Sequence, residues 1–86
     1  MPSETIYFSS ARQLSLLYNN DLHNIEELEK LLKLNITTRD DWVILEGDTN
    51  AINQGKEVLS LLETAKNQGI IIRTSDFHHV LRAVHG

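Results

Sequence analysis

The sequence predicts an α/β domain of the α+β kind: a small three-stranded sheet, helices packed on one of its faces, and an extra helix at the C-terminal end. Three observations carry that expectation. "ETIYF" (residues 4–8), "NITTR" (35–39) and "WVILEG" (42–47) are short segments rich in β-branched and aromatic residues, the composition of strands. The stretches between and after them repeat their apolar residues at helical spacing. Finally, only Asp40-Asp41 separates the second and third β-prone segments, which leaves room for nothing but a tight hairpin. A chain of 86 residues is one domain with a single modest core.

Each element follows in order. Ser9 and Ser10 offer N-cap oxygens after the first strand, and Leu14, Leu17 and Tyr18 then fall at i, i+3 and i+4 on one helical face. Asn19-Asn20-Asp21 stops this short helix, because Asn and Asp side chains compete for local backbone hydrogen bonds and tolerate left-handed conformations. The next helix is predicted to start at Asn24 as N-cap, with Glu27 three residues on, close to a capping box. Its charges suit the helix dipole, with Glu26, Glu27 and Glu29 early and Lys30 and Lys33 late. Ile25, Leu28, Leu31 and Leu32 form its apolar stripe.

After the hairpin, Gly47-Asp48-Thr49 punctuates the chain and supplies another cap. A long amphipathic helix is expected from about residue 51 to 68. Its stripe is Ile52, Gly55, Val58 or Leu59, Leu62 and Ala65, and Gly69 follows at a natural C′ position. "IIIR" (70–73) fits either a last short strand or apolar chain crossing the core. Thr74 or Ser75 caps a final helix with Phe77, Val80, Leu81 and Val84 on one side.

Composition narrows the function classes. The formal net charge is −4, from 12 acidic and 8 basic residues, whereas a free-standing nucleic-acid binder usually has a basic excess. Strong sequence-independent binding is therefore not expected. The chain has no cysteine, so it holds neither disulfide nor thiolate metal site. No apolar run approaches the roughly 18 residues that span a bilayer. The opening "MPSETIYF" lacks the basic and apolar regions of a signal peptide. A cytoplasmic location is the expectation, and Asn35-Ile36-Thr37 is then a chance match to the glycosylation sequon.

Motifs of catalysis are tested and fail. His78 and His79 point to different helix faces, and His78 and His85 lie about 10 Å apart along one face, too far for a single ion. Gly55-Lys56 has the ending of a phosphate-binding loop, but Asn50 stands where the first glycine belongs and Glu57 where Ser or Thr belongs. No serine is arranged with a histidine and a carboxylate, and Asp40-Asp41 suits a turn better than an acid–base pair. No enzyme activity is expected of this chain, and no cofactor or metal.

The stretch "NIEELEKLLKLNITTRDDWVILEGDTNAINQGKEVLSLL" resembles the KH domain. That family carries a Gly-x-x-Gly loop, a helix of the pattern Ile-x-x-Ile-Glu, an apolar residue opening a strand, a hairpin with a strand of the type Val-x-Ile-x-Gly, and a long helix. The matching residues are Ile25, Leu28 and Glu29; Leu34 and Ile36; Val43, Leu45 and Gly47; and Ala51, Ile52 and Val58. The resemblance implies the order β-α-α-β-β-α and covers most of the chain.

On that pattern the Gly-x-x-Gly loop falls on Asn19-Asn20-Asp21-Leu22. Both glycines are absent and neither middle residue is basic. In KH domains the bare loop lets backbone amides approach a sugar-phosphate backbone; here Asn19 can adopt the conformation and Asn20 can donate, while Leu22 covers the surface and Asp21 repels phosphate.

A narrower resemblance accounts for this. The opening strand, the short helix, the glycine-poor loop and the tail "GIIIRTSDFHHVL" look like the N-terminal KH-like domain of PhoH-like proteins. It implies bacterial, cytoplasmic, ATP-binding proteins linked to RNA metabolism and phosphate starvation. It further implies that this chain is the accessory portion, with ATP and Mg²⁺ held by an ATPase domain beyond residue 86.

The resemblance makes single-stranded RNA, weakly bound, the expected partner. The groove would take Asn19, Asn20 and His23 from the loop, with Ile25 and Leu28 as apolar floor and Ile36, Thr38 and Arg39 along the adjacent strand. Ile25, Leu28 and Ile36 serve equally as plain core, and Asn19-Asn20 as a plain turn. The alternative function is a protein-interaction or oligomerisation module without nucleic-acid binding. Its acidic run Glu26, Glu27, Glu29 would help the helical face dock on the ATPase domain, another protein or a second copy. A third arrangement makes "IIIR" an edge strand of a ferredoxin-like β-α-β-β-α-β sandwich that binds a small molecule; the break at residues 19–21 argues against it.

Overall fold

A computed structural model describes residues 2–86. The element order is β1 (Ser3–Tyr7), α1 (Ala11–Leu17), α2 (Leu22–Leu32), β2 (Asn35–Arg39), β3 (Trp42–Glu46), α3 (Thr49–Asn67) and α4 (Thr74–His85). The fold is the predicted small mixed α/β domain: a three-stranded antiparallel sheet in the order β1-β3-β2, with four helices. Ile70–Arg73 forms neither strand nor helix, so the ferredoxin-like arrangement has no fourth strand among the described residues.

The strands alternate as a one-sided sheet must. On β3, Val43 and Leu45 are buried while Trp42 and Ile44, which alternate with them, are half-buried. Register then places Glu4, Leu45 and Ile36 in one row on the covered face, and Ile6, Val43 and Thr38 in the next. The same register leaves Tyr7, Trp42 and Arg39 in one row of the opposite face, followed by Thr5, Ile44 and Thr37. The hairpin turns on Asp40 in the left-handed region, φ 51°, a conformation Asp tolerates.

Helices α2 and α3 pack on β2 and β3, while α4 lies on α2 and α3. Leu28, Val58, Leu62 and Phe77 meet between them, each without measurable exposure. Fully burying side chains of this size stabilises the fold by roughly 1.5–3 kcal/mol each.

Gly55 explains its own place in α3. A Cβ there would come within 3.0 Å of Leu34 Cδ1 and 3.1 Å of Leu45 Cδ1, so the helix lies close against the sheet only because the side chain is absent. The next residue, Lys56, reaches Glu4 Oε2 of β1 at 2.7 Å. The Gly-Lys pair thus serves helix–sheet packing.

Helix starts depart from expectation at two places. The cap of α2 is Asp21, whose Oδ1 accepts from His23 N at 3.0 Å; Asn24 lies inside the helix and is buried. The residue before α4 is Arg73, whose N–H donates to Asp76 Oδ2 at 3.0 Å, and Thr74 is the first helical residue. Asn24 and Thr74 were free for another task, which the site makes plain.

Candidate nucleic-acid interface

The turn between α1 and α2 occupies the position where the KH pattern has its glycines. Asn19 and Asn20 both take left-handed backbone, φ 58° and 50°, which Asn reaches more cheaply than other non-glycine residues. The turn thus takes a left-handed path without glycine. Its amides, however, are occupied: Asn19 N donates to Leu16 O (3.4 Å), Asn20 N to Ser15 O (2.7 Å), Asp21 N to Tyr18 O (3.2 Å) and Asn24 N to Asp21 O (3.0 Å). A phosphate approaching this turn would find these donors already used.

Side chains close the turn further. Asn24 Nδ2 donates to Tyr18 O at 2.8 Å and to Thr74 Oγ1 at 3.3 Å, and Asn19 Nδ2 reaches the same Thr74 oxygen at 3.3 Å. Asn24 is the only polar residue in the buried set among the described residues, 1% exposed. Burial of an amide is tolerated because its hydrogen bonds are made. The result is a polar clasp joining the turn to the start of α4.

Asp21 is held below its ordinary carboxylate pKa, first by the backbone N–H of His23, with the His23 side chain helping and burial opposing. Its Oδ1 lies 3.1 Å from His23 Nδ1. The negative charge repels phosphate and His23 is tied to it, although its side chain is 86% exposed. Ile25 and Leu28 are 6% and 0% exposed, so they belong to the core and present no floor to a ligand.

The two remaining expected residues lie elsewhere. Thr38 and Arg39 line a cavity of about 360 Å³ between α1 and the end of β2, together with Arg12, Ser15, Tyr18 and Asp40. Arg12 and Arg39 are both exposed there, and two guanidiniums beside hydroxyls suit phosphate oxygens. Arg12 was missed from sequence because nothing in "SSARQL" marks one arginine above others; only the chain reversal from β1 into α1 brings it opposite β2.

A second cleft, about 240 Å³, lies on another side, lined by Leu16, Asn19, Lys66 and residues 69–72. Ile70 and Ile71 are 49% and 78% exposed beside it. Asn19 lines this cleft and Thr38 and Arg39 the other; Asn20 and His23 line neither. The expected site is therefore split.

The sheet edge has its own arrangement. Ile36 N, on the outer strand β2, donates to Glu29 Oε2 of α2 at 2.8 Å. This engages one amide of an edge that would otherwise invite strand addition, and it gives the glutamate of the Ile-x-x-Ile-Glu pattern a physical role here. Comparison of the chain with models of protein families, with curated proteins and with solved structures finds no match.

Proposed function

We propose that this chain is a KH-like accessory domain of a PhoH-like ATP-binding protein and takes part in RNA metabolism by binding single-stranded RNA weakly. The observation that carries the reading is the cavity between α1 and β2, whose lining includes Arg12, Arg39, Ser15, Thr38 and Tyr18. Phosphates meet the guanidiniums and hydroxyls hold the sugar-phosphate register. The element order and the matches from Ile25 to Val58 support the family assignment. In that assignment ATP and Mg²⁺ belong to the ATPase domain and not to this chain.

Binding runs through side chains in the groove, because the amides of the α1–α2 turn are used internally. Few phosphates are neutralised, so affinity is low and moderately salt-dependent. Two phosphate contacts on a single strand give a slope of log K against log salt near about −1.4. Titrating a labelled RNA octamer at low and moderate salt tests this, with Arg12→Glu and Arg39→Glu each expected to abolish measurable binding. Absence of binding by the unaltered chain at low salt refutes the reading.

A second reading rests on Leu16, Ile70 and Ile71, exposed at 40%, 49% and 78% around the second cleft. An apolar patch of this kind suits docking of another protein surface, such as the companion ATPase domain. Self-association in sedimentation that Ile71→Asp removes, with no RNA binding, favours it.

A further inference from the structure

The open face of the sheet ends in a row that shares only Arg39 with the groove. Tyr7, Trp42 and Arg39 are direct cross-strand neighbours on β1, β3 and β2. Tyr7 is 71% exposed, Trp42 is half-buried and Arg39 exposed. Among the described residues no helix covers this face, since the helices pack on the side that carries Val43 and Leu45. Two of the five aromatic residues in the chain, including its sole tryptophan, thus sit side by side at the solvent boundary with a guanidinium in line. The next row, Thr5, Ile44 and Thr37, is uncharged.

We infer that this row is a stacking platform for unpaired nucleobases, with Tyr7 and Trp42 receiving base faces and Arg39 meeting the adjoining phosphate. The inference rests on the RNA-binding reading above and extends it. Arg39 also lines the α1–β2 cavity, so one residue joins the groove to the platform, and a strand leaving the groove turns over the β2 edge onto the rings. Charge fits this direction of travel. Arg12 and Arg39 lie along the route, while Glu46, in the last row with Ser3 and Asn35, repels phosphate at the far end and limits the track to one or two bases. Asp40 beside the cavity is the opposing charge near the crossing, and it keeps the affinity low. Stacking tolerates any base, because every base has a π-face, so the platform adds affinity without sequence preference.

Trp42 makes the test direct, since its fluorescence reports on its own ring alone. The intact 86-residue chain is titrated with an unlabelled oligouridine octamer and with an abasic octamer of equal charge. Binding of the same strands is followed separately by anisotropy of an end label. Saturable quenching by oligouridine and none by the abasic strand is expected. Tyr7→Ala weakens oligouridine binding about tenfold, and Tyr7→Phe, which keeps the ring, restores it.

Labelled RNA that binds and is lost with Arg12→Glu, while Trp42 stays unquenched and Tyr7→Ala has no effect, overturns the platform and leaves the groove intact. Quenching and Tyr7 dependence that survive Arg12→Glu support the platform and overturn the groove. No binding in either measurement overturns both. A concentration-dependent shift of Trp42 emission without RNA, accompanied by dimers in sedimentation, assigns this face to a second copy and overturns the platform.

Discussion

The two faces of the sheet use the same three strands for opposite purposes. Along β3, Val43 and Leu45 are 1% and 0% exposed beneath α2 and α3, whereas their neighbours Trp42 and Ile44 remain partly open. One residue of register separates a side chain packed against Leu34 and α3 from one that faces solvent. The covered face is constrained by close packing, to the point that α3 needs Gly55 against Leu34 and Leu45. The open face carries no such close packing, and Tyr7 and Arg39 there are exposed while Trp42 is half-buried.

The largest effect expected is on the covered face. Leu45→Ala should cost about 2–5 kcal/mol in denaturant unfolding, and Ile44→Ala, its neighbour, under about 1 kcal/mol. Equal costs would break the distinction between the faces. Gly55→Val tests the same packing from the helix side. It should cost about 1–3 kcal/mol by overpacking, while leaving any Trp42 signal from oligouridine unchanged in the fraction that stays folded.

The helical layer over the covered face depends on one polar point. Asn24→Ala removes one of two donors from each of the Tyr18 carbonyl, which keeps Asp21 N, and the Thr74 hydroxyl, which keeps Asn19 Nδ2, and should cost about 1–3 kcal/mol. Amide exchange should rise at the start of α4 as well as in the α1–α2 turn, and protection unchanged in α4 would show that the clasp does not join them. Asn20→Ala should cost about 1 kcal/mol because of its left-handed backbone, and Asn20→Gly close to nothing.

The smallest effect is that of pH on Asp21. Its folded pKa lies below the ordinary aspartate value, chiefly because the backbone N–H of His23 binds the carboxylate. Its contribution is therefore complete above the unfolded pKa and is lost as pH falls through the folded one. Comparing unfolding midpoints at pH 7 and in the acid range should show a steeper loss for the unaltered chain than for Asp21→Asn, which keeps a cap but does not titrate there.

Much of the fold was legible. Strand composition, a two-residue hairpin, helical spacing of Leu14 and Leu17, and the long stripe of α3 are local signals, and the elements appear within a few residues of expectation. The cap of α2 was not legible, because Asn19, Asn20, Asp21 and Asn24 all offer the same local chemistry. Which of them caps depends on Asn24 being drawn inward by Tyr18 O and Thr74 Oγ1, the latter 50 residues away. The expected site divided for a similar reason. Asn19, Asn20, His23, Thr38 and Arg39 came from one linear pattern, yet the turn's amides are satisfied within it and Arg39 lies with Arg12 across the α1–β2 cavity.

By itself the sequence determined the period of each element, the absence of thiol chemistry and of a phosphate-binding loop, and the left-handed tolerance of the Asn-Asn turn. These follow from side-chain chemistry acting over a few bonds. Only the tertiary structure decided that Gly55-Lys56 serves helix–sheet contact, that Asn24 is a clasp, and that Tyr7, Trp42 and Arg39 share a row. Strand register and helix approach bring together residues far apart in the chain, and no local preference specifies such a meeting.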